Sequence, residues 1–143
     1  MLQIELTEEG WLDAVPAVQA TLIRQLVDDG STEEQVAEIW LSKVGASTTS
    51  GFGVGGPMQS FYANVKAEVI AFVCGDAKYQ AERTQAEAIW KTHGKIGLVA
   101  AVAAAISPYV GLAAAAIIPV IALLFSLAAK VGLNAFCKSC GMP

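Results

Sequence analysis

The sequence predicts an all-α fold in which a small amphipathic helical module is followed by a hydrophobic, alanine-rich helical hairpin that inserts into a membrane. The first observation is the stretch from Ile96 to Ala129, which contains no charged side chain, and about 18 or more apolar residues in a row are typical of a transmembrane helix. The second observation is that apolar residues before this stretch recur at helical spacing. The third is that all 13 acidic residues precede it, while the mean hydropathy of the whole chain is +0.52.

Composition divides the chain into five consecutive parts. The first is acidic and helical, the second is rich in glycine, the third is amphipathic, the fourth is the hydrophobic hairpin, and the fifth is a tail that contains cysteine. These parts are residues 1–44, 45–57, 58–95, 96–133 and 134–143.

The acidic first part begins with a short predicted helix. Thr7 can cap this helix, and Glu8 and Glu9 then lie in its first turn, where carboxylates interact favourably with the positive helix end. Pro16 either starts a new helix or kinks this one. The residues that follow place an apolar stripe on one helix face, formed by Val18, Leu22, Ile23, Leu26 and Val27.

A further helix is predicted after Gly30. Ser31 and Glu34 have the spacing of a capping box, in which each residue satisfies the other's backbone N–H. The carboxylates around this point are typical of helix termini, so we interpret them as caps and not as a metal or acid/base cluster. The apolar face of this helix consists of Val36, Ile39, Trp40 and Val44.

The glycine-rich segment 45–57 predicts a flexible loop, and it lacks the Gly-Lys-Ser/Thr ending of a phosphate-binding loop. Helical spacing resumes from Met58 to Val73. Cys74 follows, and we expect it to be a small buried hydrophobic residue. Asp76 can cap the next helix, which runs up to the start of the apolar stretch.

The apolar stretch contains its own break at Ser107-Pro108, because proline lacks the N–H of a helix interior and disfavours the helical conformation of the preceding residue. A hairpin that turns near this point is our preferred interpretation. The alternative is a single span over Pro108–Lys130, with Ile96–Ser107 as an interfacial or core helix.

Small residues recur every four positions in this stretch, which lets helices approach closely in lipid. The residues expected to insert into the membrane are Gly97, Ala101, Ala105, Pro108, Gly111, Ala115 and Pro119. The residues expected at the membrane interface are Trp90, Lys91, Lys95, Tyr109 and Lys130.

The remaining features exclude several classes of protein. The chain has no cluster of Lys and Arg, which argues against nucleic acid as a partner. His93 is the single histidine, and no catalytic, cofactor-binding or metal-binding set of residues is recognisable, so we do not expect an enzyme. Cys137 and Cys140 lack the two further ligands that a zinc site needs, and we expect them to lie in a frayed tail as reduced thiols. The acidic N-terminal sequence is unlike a secretory signal and is expected to lie in the cytoplasm.

The layout over about residues 58–136, with amphipathic helices before a hydrophobic hairpin, resembles that of helical pore-forming proteins such as colicin pore domains and Bcl-2-type proteins. The resemblance implies a soluble form in which amphipathic helices cover the hairpin, and an inserted form at the inner or cytoplasmic membrane. We therefore expect an oligomerising effector that permeabilises a lipid bilayer, assembling with copies of itself. The alternatives are a constitutive membrane-anchored subunit whose acidic front recruits a cytoplasmic protein, and a soluble helical bundle with a buried hairpin.

Overall fold

A computed structural model describes residues 2, 4, 10–32, 34–41 and 58–139, and in these ranges the regular secondary structure is helical, with no strand. The glycine-rich segment 45–57, the predicted Thr7 cap, Val44 and Cys140 lie outside the described residues. Two short 3-10 helices cover Trp11–Ala14 and Ala77–Tyr79. The α-helices are α1 (Ala17–Asp28), α2 (34–41), α3 (Met58–Cys74), α4 (Gln80–Val110), α5 (Ala114–Val131) and α6 (Leu133–Ser139).

Helix α1 follows Pro16 directly, as the first of the two interpretations of that proline predicts. Its apolar stripe is buried only in part. Ile23 is fully buried, whereas Val18 is 76% exposed and Leu22 is 50% exposed. The described elements therefore cover only one side of α1, and part of the predicted stripe lies on the exposed side.

The capping box before α2 is displaced by one residue from the predicted one. The backbone N–H of Gln35 donates to Thr32 Oγ1 at 3.1 Å, and the backbone N–H of Thr32 donates to Gln35 Oε1 at 2.9 Å. The carboxylate of Glu34 instead accepts hydrogen bonds from Tyr62 and Lys66 of α3. The pair Ser31–Glu34 fails as a capping box because Glu34 has these partners across the fold.

The junction between α3 and α4 is closed by polar contacts to backbone groups. Asp76 Oδ1 accepts from the backbone N–H of Lys78 at 3.0 Å, as the predicted cap requires. The buried guanidinium of Arg83 donates to the carbonyls of Phe72 at 3.1 Å and Asp76 at 2.9 Å. Phe72 lies in the last turn of α3, where carbonyls have no N–H donor within the helix, so Arg83 supplies one. The same guanidinium connects α3 to the segment after it through the carbonyl of Asp76.

Helix α4 consists of two arms that meet at Gly94. Gly94 has φ 64° and ψ −149°, a backbone conformation outside the helical region that residues other than glycine rarely adopt. The chain reverses there, and the arm over 95–110 packs beside the arm over 80–93. As a result, the ring of Tyr109 lies 5.3 Å from the ring of Tyr79, just before the first arm.

The predicted break at Ser107-Pro108 is wrong in position. The helix continues through Pro108 to Val110, and Gly111 then ends it with φ 73° in the left-handed region. The N–H of Gly111 donates to the carbonyl of Ser107 at 3.0 Å, and Ser107 Oγ donates to the carbonyl of Leu112 at 2.6 Å. A proline in the last turn removes only one helical hydrogen bond, so Pro108 does not end the helix. The turn of the hairpin therefore lies after Val110, at Gly111–Ala113.

Helix α5 lies at the centre of the molecule. It packs against α4, the 3-10 helix Trp11–Ala14, α3 and α6. Its sequence is apolar on every face, which is typical of a helix that is surrounded by other elements.

Helix α6 holds a disulfide that corrects the prediction for two cysteines. Cys137 Sγ bonds to Cys74 Sγ and joins α6 to the end of α3, with 5.8 Å between the Cα atoms. Phe136 is buried in the same place, against Ile70 of α3 and Ala128 of α5. Reduced thiols in a frayed tail and a lone buried thiol at Cys74 were the wrong expectations, because the tail forms a helix that packs on α3.

Candidate membrane-active hairpin

The hydrophobic hairpin consists of the second arm of α4, over 95–110, and α5 (Ala114–Val131). At about 1.5 Å per residue the arms are roughly 24 Å and 27 Å long, close to the hydrocarbon thickness of a bilayer, about 30 Å. Two helices, Ala77–Val110 and Ala114–Val131, are long and apolar enough to cross a membrane by length and composition. The first of these bends back at Gly94, so only its second arm belongs to the hairpin.

The inner arm of the hairpin, α5, is buried around its whole circumference near the middle. All residues from Pro119 to Phe125 are buried, which covers every direction around a helix of 3.6 residues per turn. Pro119, a predicted membrane-inserting residue, is therefore a core residue in this structure.

An aromatic stack joins the N-terminal segment to the hairpin. The indole of Trp11 is buried, lies 5.1 Å from the ring of Phe125 and is stacked on it. Its other neighbour is Trp90, at 6.0 Å between ring centroids. The role of Trp11 is not recognisable from the sequence, because the two rings it contacts are far away along the chain.

The row of small residues on the second arm of α4 faces the first arm. A Cβ atom built on Gly97 would lie 2.5 Å from His93 Cβ and 2.6 Å from Ile89 Cγ2, so only glycine fits at this approach. Ala101 and Ala105 line a cleft of about 380 Å³ together with Ile89. The small residues thus bring two helices of this chain close together.

The outer surface of the hairpin carries no charge. Each exposed residue between Ile96 and Ala129 is uncharged, and they are Ile96, Ala100, Ala104, Pro108, Tyr109, Gly111, Ala113 and Ala115. Ile96 is 61% exposed and Tyr109 is 53% exposed. A helix on the surface of a soluble protein is usually polar on its outer face, as the first arm of α4 is, with Thr84, Gln85 and Lys91 exposed.

The predicted interface residues lie at two ends of the molecule. Lys95 lies over the indole ring of Trp11, with Nζ 5.4 Å from the ring centroid. Trp90 is half-buried against the same ring, Lys91 is exposed on the first arm, and Lys130 is exposed in the last turn of α5. These four residues lie near the open end of the hairpin, where its two arms begin and end.

Tyr109 lies at the opposite end, near the turn of the hairpin. Lys78 Nζ is 4.3 Å from its ring centroid and 2.7 Å from Glu68 Oε1. Tyr79 donates a hydrogen bond to the same oxygen at 2.6 Å. These contacts connect the turn end of the hairpin to α3, and Lys78 was not singled out from the sequence.

Among the described residues, no group of three or more His, Cys, Asp or Glu side chains could hold a metal ion. Comparison with protein-family models, with curated proteins and with solved structures finds no match for this chain.

Proposed function

We propose that the protein is a membrane-permeabilising effector, which stores a hydrophobic hairpin in a helical bundle and inserts it into a lipid bilayer as an oligomer. The observation that carries this proposal is the uncharged outer surface of the hairpin between Ile96 and Ala115. Such a surface has little to gain from contact with water, and exposed apolar surfaces of this kind often mark membrane or protein contacts.

The packing supports a two-form mechanism. In the soluble form α3 and the 3-10 helix that contains Trp11 cover α5. In the inserted form the arms of the hairpin span the bilayer, and lipid replaces the helices that covered them. The hairpin then loses its contacts with the other helices. Contacts with acyl chains replace them, because acyl chains are as apolar as the side chains that were buried.

The charges at the open end of the hairpin favour one orientation. Lys95 and Lys130 flank the two arms, and Lys91 precedes them. Lysine side chains remain at the surface of a bilayer while their apolar stems extend into it. The turn at Gly111–Ala113, which carries no charge, is the end that crosses the membrane.

The disulfide supports a proposal about the compartment in which the protein acts. A bond such as Cys74–Cys137 persists in oxidising compartments and is rare in the reducing cytoplasm. We therefore propose that the hairpin reaches its membrane from an oxidising compartment, which replaces the cytoplasmic approach expected from the sequence.

Dye release from liposomes tests the proposal. The wild-type protein is expected to release dye in a concentration-dependent manner. Ala100→Glu is expected to reduce release at least about tenfold, because a carboxylate in the middle of a spanning helix costs roughly 2.5–3.5 kcal/mol. Ala100 is exposed, so the bundle itself can accept the new side chain.

Ala88→Glu is the matched control, since Ala88 is also an exposed helical alanine but lies outside the hairpin. This variant should release dye as the wild type does. Folded wild-type protein that releases no dye at any concentration contradicts the proposal, and so does equal release by both variants.

A soluble helical interaction module is the second candidate, and the complete burial of the middle of α5 favours it. A protein of this kind stays monomeric without detergent and does not bind liposomes. A constitutive membrane-anchored subunit is the third, and it differs because no soluble species of it should be found on fractionation.

A further inference from the structure

The surface between α1 and α2 forms a groove whose walls are apolar. Leu22 and Leu26 of α1 line one wall, and Ile39 and Trp40 of α2 line the other. The groove encloses about 270 Å³, and no residue of the hairpin lines it.

Apolar side chains of this surface are exposed where the sequence pattern predicts burial. Val18 is 76% exposed, Leu22 is 50% exposed and Ile39 is 38% exposed. Val18, Leu22, Gln25 and Asp29 follow one another at helical spacing, so they share one face of α1. This face is apolar at Val18 and Leu22 and polar at Gln25 and Asp29.

The walls of the groove do not depend on an added partner for their position. Val36, Ala37 and Leu41 are buried and hold α2 against the core. The indole N–H of Trp40 donates to the carbonyl of Ala116 at 3.2 Å, which fixes this ring against the start of α5. The groove is therefore a preformed feature of the bundle.

The rim of the groove is acidic. Asp29, just after α1, lines the groove, and its neighbour Asp28 is exposed. The sequence from Gln25 to Leu41 contains no Lys or Arg. The adjacent cation of α1, Arg24, pairs with Asp13 at 3.4 Å and lines a different pocket with Trp11.

From the apolar walls and the acidic rim we infer that the groove docks a basic amphipathic helix of a partner protein. Leucine-like side chains at helical spacing fill the groove between Leu22 and Ile39, and Lys or Arg on the flank of that helix face Asp28 and Asp29. The charges set the orientation and the rate of encounter, while the apolar contact supplies most of the affinity. This inference goes beyond membrane insertion and does not depend on it.

A designed peptide serves as the probe. It is a fluorescein-labelled helical peptide of Leu and Lys, with Leu at every third or fourth position, and its matched partner has Glu in place of each Lys. Fluorescence anisotropy with the full chain is expected to show at least about tenfold tighter binding of the Lys peptide. Amide chemical shifts should change mainly within residues 18–41.

Two substitutions localise the binding. Leu22→Lys removes an apolar wall and reverses the charge preference, so we expect at least about tenfold weaker binding of the Lys peptide. Val131→Lys is the matched control, because Val131 is 48% exposed but lies at the end of α5. This variant should bind the Lys peptide as tightly as the wild type does. Asp29→Lys gives a second variant in which the apolar walls are intact, and it should also weaken binding.

Three results overturn the inference. The first is equal binding of the Lys and Glu peptides to the wild-type chain. The second is unchanged binding by both Leu22→Lys and Asp29→Lys. The third is a wild-type chain that does not bind the peptide but does self-associate or bind liposomes, with Leu22→Lys abolishing that association or binding. The groove would then bind a second copy of the chain or a lipid surface. None of these results bears on dye release by the hairpin.

Discussion

Trp11 is the residue that most directly connects the N-terminal segment to the hydrophobic hairpin. Its indole stacks between Phe125 of α5 and Trp90 of α4, and it is buried. Periodicity in the sequence describes only neighbours along one element, so it could not reveal a stack of three rings from three separate segments. A lone tryptophan after an acidic segment carries no other signal.

We expect Trp11→Ala to lower the free energy of unfolding by about 3–5 kcal/mol, the usual cost of removing a large buried aromatic side chain. Trp11→Phe retains a ring in the stack and should lose less than about half as much. Urea denaturation followed by circular dichroism measures both values. Equal losses in the two variants contradict the proposed role of the stack.

Glu34 gives the stability of the fold a dependence on pH. Hydrogen bonds from Lys66, at 2.8 Å, and from Tyr62, at 2.7 Å, lower the pKa of this carboxyl below its ordinary value of 4.5. Because the folded pKa is lower than the unfolded one, this contribution is fully present above about pH 4.5 and is lost as the pH falls through the folded pKa.

Denaturation at pH values between 7 and 3 tests this contribution. Glu34→Gln is expected to lower stability at pH 7 and to reduce the loss of stability on acidification. Glu38→Gln removes a carboxylate of the next helical turn without touching Lys66 or Tyr62, and it serves as the control. The account fails if both variants show the same dependence on pH.

At the scale of the element, helix α4 shows what the sequence could predict and what it could not. The helical character of 80–93, the cap at Asp76 and the close approach of small residues all follow from local patterns. The position of the turn does not follow from local patterns, because proline is the stronger helix-breaking signal in the apolar stretch and the prediction placed the turn there. The chain reverses at Gly94 and turns again at Gly111, where positive φ angles are needed, and it passes through Pro108.

Gly94→Ala is expected to destabilise the fold by about 1–3 kcal/mol, because φ 64° with ψ −149° is a strained conformation for any residue with a Cβ atom. Nothing lies within 4 Å of a Cβ built on Gly94, so the cost arises from the backbone and not from a clash. Gly111→Asn is the control, since asparagine tolerates the left-handed conformation that Gly111 adopts, at φ 73° and ψ 21°. Thermal denaturation with similar losses for both variants contradicts the role of Gly94 as the point of reversal.

At the scale of the whole molecule, the all-α class was predictable from apolar residues at helical spacing, and the hydrophobic hairpin from the absence of charge between Ile96 and Ala129. The disulfide was not, since it joins Cys74 to a residue 63 positions later and depends on how α6 packs. Burial of α5 was also not predictable, because an apolar helix suits both a protein core and a bilayer. In the structure α5 lies in the core. The feature that favours insertion into lipid is a different one, the uncharged outer face of the second arm of α4.

The central claim is that the hairpin leaves the bundle and enters the bilayer, and the local environment of Ala104 tests it most directly. Ala104 is exposed on the second arm of α4. Ala104→Cys, made together with Cys140→Ser and labelled with an environment-sensitive fluorophore, reports whether this position becomes surrounded by lipid. Ala88→Cys, labelled in the same background, gives the same report for a position outside the hairpin.

In the presence of liposomes, the label at position 104 is predicted to shift its emission to shorter wavelengths and to be quenched by nitroxides attached deep in the acyl chains. The label at position 88 should show neither change. If the label at position 104 keeps its emission in water while the protein is bound to liposomes, the hairpin stays in the bundle and the account is contradicted.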